Sequence, residues 1–456
     1  MNSATDSSAP AGEHRSQFAL LRERRFWPLF VTQFLGAFND NAYKNALVML
    51  LTFRAASWTS LKFEVLANLA AGLFILPFFL FSATAGQWAD KFDKAWLARW
   101  VKVLEIVIML VAALGFWLQS ITVLLAALFL LGLQSALFGP VKYAILPQHL
   151  AAHELVGGNA LVEAGTFVSI LLGTLTGGIL AGMDSGIVWI CVICLLVAGG
   201  GYAASRAIPA APAPAPELRV STNILRETWR CIGFAQQEKS VFLSILAISW
   251  FWLYGAVLLA QFPAYTKTVL GGGEGMVTLL LAVFSIGIGT GSLFCDKLTH
   301  WRGKAVEPGL VPLGALGMTL FGLDMAYASP AQHIQDALPL GQLLAHVGTW
   351  RVLFDLLCLG VFGGLYCVPL YALVQQRSPV VCRARVIAAN NILNALFMAC
   401  GVLVVAVLLN NGWKIPGIFL CMAIANGAVT VYIFSVVPEF LIRALVWLGV
   451  MRERVE

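Results

Sequence analysis

The strongest constraint on the fold is one stretch, residues 26–53, that is long enough to cross a bilayer but polar in its middle. About 20 apolar residues span the hydrocarbon core at 1.5 Å per helical residue. Asp40 lies roughly 21 Å along the helix axis from Phe26, at a depth where an acidic group costs about 2.5–3.5 kcal/mol. The polar side chains of this stretch are Asn39, Asp40, Asn41, Lys44 and Asn45.

Two interpretations of this polar run remain open. Asp40 and Lys44 stand four residues apart and can face each other on one helix, so they could neutralise each other and serve only packing. The alternative, which we favour, is a polar site in a transport cavity, because ionisable groups inside membrane helices are usually functional.

Composition places the remaining chain in the membrane as well. Of 456 residues, 59% are hydrophobic and 11% charged, and the mean hydropathy is +0.83. These values exclude a soluble globular domain and indicate a polytopic membrane protein. The opening residues are polar and small, which predicts a disordered segment over 1–25 without a signal-peptide pattern. Cys191 and Cys194 lie in an apolar run and are interpreted as packing residues.

Apolar runs of spanning length recur twelve times and predict an all-α protein with twelve transmembrane helices. Six runs fall in residues 26–206 and six in 241–437, which defines two six-helix bundles. The break at 207–240 opens with a proline-rich segment and continues as an amphipathic helix. Residues 438–456 form a predicted amphipathic tail.

The basic residues define a topology. With the N-terminus inside, 21 of the 29 lysines and arginines fall on the inner side and five on the outer side. The positive-inside rule therefore predicts that both termini and the linker are cytoplasmic. The net charge of +6 reflects this topology and anionic lipid, not a nucleic-acid partner.

The two halves of the chain resemble each other. VGGNALVEA in the first half aligns with IAANNILNA in the second at an offset of 231 residues, and two further matches occur in the same order. A duplicated six-helix half is the pattern of the major facilitator superfamily. The matches pair Val156 with Ile387, Tyr143 with Tyr371, and Asp90-Lys91 with Asp296-Lys297.

The segment from Gly86 to Lys94 resembles the loop motif of that superfamily, glycine-x-x-x-aspartate-basic, although Asp93 replaces its usual second glycine. The resemblance implies that the aspartate braces the inward gate by pairing with a neighbouring helix end. The predicted gating residues are Asp90, Lys91 and Asp355.

Four further motifs resemble the bacterial lysophospholipid transporter family, over essentially the whole chain from Phe26. They are AFNDNA at Ala37, GPVKYAIL at Gly139, GNALVEA at Gly158 and RVIAANNILN at Arg385. This likeness implies a flippase that moves lysophospholipids, chiefly lysophosphatidylethanolamine, across the bacterial inner membrane for re-acylation. It also implies a cytoplasmic acyltransferase or acyl-activating partner.

No chemistry of its own is expected of the chain. An acyltransferase His-x-x-x-x-Asp motif is missing, since Glu154 follows His149 and Arg351 follows His346 at that spacing. No cofactor is predicted. His149 and His153 could share a metal ion, but no third ligand accompanies them. An alternative function is a proton-coupled exporter of amphiphilic small molecules, with Asp40 or Glu163 titrating; a third is the membrane half of a lipid-remodelling enzyme.

A lysophospholipid zwitterion requires partners of both signs. Asp40 and Glu163 can accept from an ammonium group, Lys142 can donate to phosphate, and asparagines can bind either end. Lys142 could instead extend towards the headgroups from a helix end. The predicted substrate-binding residues are Asp40, Asn41, Lys142, Asn159, Glu163, Asn391 and Asn394.

Helical spacing predicts two structural ion pairs, Lys102 with Glu105 and Arg351 with Asp355. The glycines between Gly173 and Gly182 are expected to allow close helix contact at a rocking interface.

Overall fold

The computed structural model describes residues 16–58, 63–301, 306–328 and 338–451, and these residues are almost entirely helical. The disorder expected over residues 1–25 falls on 1–15, outside the described residues, and on 16–25, where Gln17–Arg22 form a 3₁₀ helix instead. The end of the tail, 452–456, also lies outside the described residues. The α-helices are α1 (Trp27–Trp58), α2 (Phe63–Lys91), α3 (Lys94–Trp117), α4 (Ile121–His149), α5 (Leu155–Ala181), α6 (Gly186–Arg206), α7 (Ile224–Gln236), α8 (Lys239–Tyr265), α9 (Glu274–His300), α10 (Leu310–Ala328), α11 (Leu340–Leu343), α12 (Val347–Arg377), α13 (Arg383–Asn410), α14 (Ile415–Val436) and α15 (Pro438–Trp447).

Twelve of these helices are long enough to span a membrane, as predicted: α1–α6, α8–α10 and α12–α14. Eleven of them are also apolar enough by composition. The remaining one is α1, whose 32 residues exceed the spanning length but include the polar run around Asp40. The short helices α7, α11 and α15 lie between or after the spans, and α7 falls within the predicted amphipathic linker.

The two sets of six helices pack in the same way. In the first bundle α1 packs against α5, α2 and α3 against α4, and α3 against α6; in the second α8 packs against α13, α9 and α10 against α12, and α10 against α14. Each contact in the first list has its repeat mate in the second. The duplication detected in the sequence is therefore also a duplication of helix packing.

The bundles meet along α5–α9 and α2–α13, with further contacts of α13 with α4 and of α12 with α5. These contacts concentrate in the half of the molecule that carries the chain ends, which we call the termini side. On α5, every residue from 155 to 167 is buried, whereas only three from 168 to 181 are. On its mate α13, all residues from 384 to 395 are buried, but only Gly401 and Val405 from 396 to 410.

The hydrophobic core follows the same division. One continuous cluster joins the termini-side residues of both bundles and extends into the far half of the second bundle, while the far half of the first bundle has a separate cluster around Leu47 and Leu128. The protein is thus closed on the termini side, and the bundles part towards the other side.

The glycine-rich run of α5 makes its contacts within one bundle. A Cβ at Gly177 would lie 2.3 Å from the Ala42 carbonyl oxygen of α1 and one at Gly173 would lie 2.4 Å from that of Phe38. The expectation of a rocking interface at these glycines is wrong, because α1 and α5 belong to the same bundle. Between the bundles the close approach occurs elsewhere, at Gly86, where a Cβ would lie 2.8 Å from Ala388 Cβ.

Candidate functional site

Asp40 lies halfway along α1, half-buried, and its carboxylate is directed at α4. Ser135 donates its hydroxyl hydrogen to Asp40 Oδ2 at 2.6 Å. The other oxygen, Oδ1, is buried and has no hydrogen-bond partner in the described residues. The carboxylate therefore keeps one unused acceptor oxygen beside α4.

Lys44 does not pair with Asp40, although the spacing allows it. Its ammonium donates to Asn41 Oδ1 at 3.1 Å and lies 5.3 Å from the centre of the Phe74 ring. Asn41 in turn donates to the Ala37 carbonyl at 2.8 Å. The interpretation of Asp40 and Lys44 as a self-neutralised pair is wrong, because each has a closer partner. Asn41 is occupied as the acceptor for Lys44.

Lys142 is half-buried on α4 and makes neither an ion pair nor a hydrogen bond within the described residues. Its ammonium lies 4.4 Å from the centre of the Tyr143 ring. Lys142 follows Ser135 by seven residues, which is two helical turns and about 10 Å on the same face. The free cation and the serine that holds Asp40 are thus aligned along one side of α4.

On the termini side of Lys142, two tyrosines from equivalent positions of the two halves stack across the interface between the bundles. Tyr143 of α4 and Tyr371 of α12 stack with ring centres 4.5 Å apart and planes inclined by 6°. The Tyr143 hydroxyl donates to Glu163 Oε1 at 2.5 Å, and Trp252 Nε1 donates to the Tyr371 hydroxyl at 3.0 Å. Glu163 is 1% exposed, so in this conformation it supports the closed side and is not accessible to a ligand.

All three predicted asparagines of α5 and α13 are buried, two of them between the bundles and one within the second bundle. Asn159 and Gln375 of α12 exchange two amide hydrogen bonds across the bundles, at 2.7 and 3.0 Å. Asn391 is buried where α13 crosses α4, so close that a Cβ at Gly139 would lie 2.2 Å from its Nδ2. Asn394, one turn further along α13, accepts from the Ser249 hydroxyl at 2.8 Å.

Asp90 forms the predicted brace, and its partner is Arg385 at the start of α13. Arg385 Nε donates to Asp90 Oδ2 at 2.9 Å, and the Ala384 backbone N–H donates to Oδ1 at 3.1 Å. Both side chains are at most 5% exposed. Lys91 instead lies 5.7 Å from the Phe92 ring centre and makes no ion pair within the described residues. A gating role for Lys91 has no contact to support it here.

The repeat mate of Asp90 has a different partner. Asp296 Oδ1 lies 3.2 Å from Nδ1 of His300, on its own helix α9. His300 Nε2 is 3.1 Å from the carbonyl oxygen of His153, two residues before α5. The link between bundles at this position therefore runs through a histidine and a backbone carbonyl.

At the far end of α12, Arg351 binds Asp324 of α10 through both Nε and a terminal nitrogen. The predicted pair of Arg351 with Asp355 is wrong, because Asp324 is the closer acceptor. Asp355 is buried and its Oδ2 has no hydrogen-bond partner in the described residues. Both acidic residues belong to the second bundle, so a gate between bundles at Asp355 would need a further partner.

The other spacing-based pair is present and anchors a larger network. Lys102 Nζ lies 2.6 Å from Glu105 Oε2, and both side chains are fully buried. Asn39 and Gln134 donate to the same carboxylate at 3.0 Å each. The pair thus ties α1, α3 and α4 together inside the first bundle, beside the Asp40 site.

Sequence reasoning missed Ser135, the partner of Asp40, and three residues of the closed side: Tyr371, Trp252 and Gln375. A signal existed for one of them. Tyr143 and Tyr371 were matched as repeat mates, and mates close to the axis that relates two halves face each other across it. The other three are ordinary polar or aromatic residues whose roles depend on helix packing.

Comparison with known proteins agrees with this architecture. The sequence profile of the Major Facilitator Superfamily matches residues 29–398. Among solved structures, the human organic anion transporter MFSD10 superposes with a TM-score of 0.71 at 14% identity, covering 91% of this chain and 98% of that one. The transporter FucP in its outward conformation gives 0.65 at 12% identity, covering 91% and 99%.

Closer relatives come from curated bacterial sequences. The lysophospholipid transporter LplT of Klebsiella pneumoniae (strain 342) is 30% identical over 355 residues, 76% of this chain and 78% of the relative. The lysophospholipid transporter LplT of Escherichia fergusonii is 30% identical over 388 residues, 83% and 88% of the two chains. This chain is therefore a transporter of the major facilitator superfamily and belongs to its lysophospholipid transporter family.

Proposed function

We propose that the protein carries lysophospholipids, among them lysophosphatidylethanolamine and lysophosphatidylglycerol, across the bacterial inner membrane by alternating access. The observation that carries this proposal is the placement of Lys142 on the face of α4 whose Ser135 binds Asp40 of α1. Asp40 has a buried acceptor oxygen without a hydrogen-bond partner in the described residues, and Lys142 is a cation that lies against an aromatic ring. A zwitterionic headgroup needs both.

The arrangement suits a phosphoethanolamine group. Ser135, which donates to Asp40, and Lys142 lie about 10 Å apart along one face of α4, so both charged side chains border the same stretch of this helix. Asp40 would accept from the ammonium group and Lys142 would donate to the phosphate. The acyl chain would stay in apolar surroundings, because only the headgroup needs polar partners.

The closed side supports alternating access. Three separate contacts join the bundles there: the Asp90–Arg385 pair, the tyrosine stack and the Asn159–Gln375 amide pair. Each is non-covalent and joins residues of different bundles, so all three can break in a rocking motion. The basic residues favour a cytoplasmic termini side. Delivered lysophospholipid would then be re-acylated there by a partner acyltransferase.

Uptake of labelled lysophosphatidylethanolamine into right-side-out and inverted vesicles, with and without a proton gradient, tests the transport claim. We expect lipid to reach the leaflet on the termini side without need of the gradient. If a proton gradient drives export of an amphiphilic dye and lysolipid does not move, the exporter alternative is correct and this proposal is refuted.

Side-chain variants test the headgroup claim. Asp40→Asn should weaken the binding of lysophosphatidylethanolamine more than that of lysophosphatidylglycerol, which lacks an ammonium group. Lys142→Gln should weaken the binding of both lipids. Charge-assisted hydrogen bonds of about 1.5–3 kcal/mol predict roughly ten- to hundredfold losses in affinity. Lys44→Gln is the matched control, a membrane-depth cation bound to Asn41, and should not discriminate between the lipids. Equal losses for both lipids in Asp40→Asn would end its recognition role.

A further inference from the structure

The linker helix α7 presents an exposed face on the termini side that its contacts with the protein do not explain. Leu225 is 75% and Trp229 72% exposed, one turn apart. Arg226 and Arg230 are exposed beside them at the same spacing. The opposite face is already seated on the protein, since Glu227, Cys231 and Ala235 are buried.

An apolar pair next to a basic pair on a short helix is typical of helices that lie in a membrane interface. Tryptophan is enriched at that level because its ring is apolar while its N–H remains hydrated. The only acidic residue within α7 is Glu227, which is buried and lies 3.5 Å from Arg230. The exposed residues in the first two turns of α7, Leu225, Arg226, Trp229 and Arg230, are therefore all cationic or apolar, which is complementary to anionic lipid headgroups.

The same helix touches the gate brace. Phe234 of α7 lies 4.6 Å from the guanidinium of Arg385, measured to the ring centre. The linker also holds the other side of the brace: the Ala215 N–H donates to the Asp90 carbonyl at 2.9 Å, and Ser221 N–H donates to Gln87 Oε1 at 2.8 Å. Anything that fixes α7 in place thus acts on both partners of the Asp90–Arg385 pair.

We propose that α7 binds anionic phospholipid of the termini-side leaflet, with Arg226 and Arg230 on the phosphates and with Leu225 and Trp229 inserted among the headgroups. Bound lipid holds α7 against the brace and stabilises the closed termini side. This surface is separate from the transport path, so the inference does not depend on which substrate is carried.

Fluorescence quenching tests the binding in nanodiscs that hold the full chain. Brominated phosphatidylglycerol and brominated phosphatidylcholine are compared at equal content in the wild type and in Trp229→Phe. The wild type should be quenched more by the phosphatidylglycerol, and Trp229→Phe should lose this excess. Trp117→Phe is the control, because Trp117 is 79% exposed at the far end of α3; it should retain the excess.

The arginines are tested by their effect on lipid preference. Arg226→Gln and Arg230→Gln should each lower the preference for phosphatidylglycerol about fivefold, and the double variant about thirtyfold. Arg219→Gln, an exposed linker arginine outside α7, should leave the preference unchanged. An unchanged preference in the double variant, or the same loss in Arg219→Gln, overturns the site.

Coupling to the brace is measured with spin labels at Phe92 and Val380, exposed positions next to Asp90 and Arg385. Phosphatidylglycerol should enrich the short-distance, closed population in the wild type but not in the arginine double variant. If the closed fraction of the wild type does not change with lipid charge, the coupling is refuted.

Discussion

Replacing Asp90 by asparagine should destabilise the closed termini side while leaving membrane insertion and expression intact. The substitution keeps the shape of the side chain and removes only its charge. Arg385 would then be a buried cation without a counter-charge, because both side chains are at most 5% exposed in the closed state. In a state with the bundles parted on this side, Arg385 would reach water, so the cost falls mainly on the closed state.

The size of the effect follows from this burial. Removing one partner of a buried ion pair costs about 3–5 kcal/mol. Asparagine can still accept from Arg385 Nε and from the Ala384 N–H, the two donors at 2.9 and 3.1 Å. We therefore expect the lower end of that range, a fall of about a hundredfold in the ratio of closed to open protein.

Distances between spin labels at Phe92 and Val380 report this ratio, and transport of lysophosphatidylethanolamine reports its consequence, a slower cycle. Asp93→Asn is the control, since Asp93 caps α3 through Trp96 N–H and, in the described part of the chain, makes no bond across the bundles. Asp90→Asn with Arg385→Gln should recover part of the closed population. Normal transport and an unchanged distance distribution in Asp90→Asn would refute the role of the brace.

Four further outcomes are expected. Asp296→Asn should shift the closed population less than Asp90→Asn in the same spin-label measurement, because Asp296 pairs with His300 on its own helix. Lys102→Met should lower thermal stability by about 3–5 kcal/mol, and Lys102→Met with Glu105→Leu by less, because only the single change leaves a buried charge unpaired. Gly177→Ala should cost about 1–3 kcal/mol in thermal unfolding by forcing α1 from α5, whereas Gly178→Ala, with open space around it, should not. In a cysteine-free background, an impermeant maleimide applied from outside should label a cysteine at Asp184 but not one at Ala215; the reverse pattern would invert the topology.

Residue spacing along a single helix predicted some ion pairs correctly and others wrongly. Lys102 and Glu105 meet as expected, because the pair is enclosed and their nearest alternatives, Asn39 and Gln134, add to it without replacing it. Asp40 and Lys44 do not meet, because Ser135 of a neighbouring helix offers a donor to Asp40. Helical spacing states which groups can meet within one helix; competing partners on other helices are set by tertiary packing.

The twelve helices and the duplication followed from the sequence, because apolar length and internal repeats can be recognised along the chain. The brace at Asp90 followed from the resemblance of its loop to the superfamily motif. The partner of Asp90 did not, since Arg385 is 295 residues away and only the docking of the bundles brings it near. The same holds for Gln375, which meets Asn159 across 216 residues. Contacts between the bundles therefore cannot be predicted from one sequence, except where equivalent residues of the two halves face each other.

The geometry also limits what one substrate contact can do to the closed side. A ligand shifts a conformational equilibrium only by its differential affinity for the two states. A phosphate that binds Lys142 would move the lysine ammonium away from the Tyr143 ring and so affect the tyrosine stack. The contact between ammonium and ring is worth about 0.5–2 kcal/mol. The Asp90–Arg385 pair, the tyrosine stack and the Asn159–Gln375 pair each have one partner in each bundle. We therefore expect a substrate that shifts the equilibrium to contact the second bundle as well. Asn394 of α13 is placed for this, since its oxygen is bound to Ser249 while its amide nitrogen makes no hydrogen bond in the described residues.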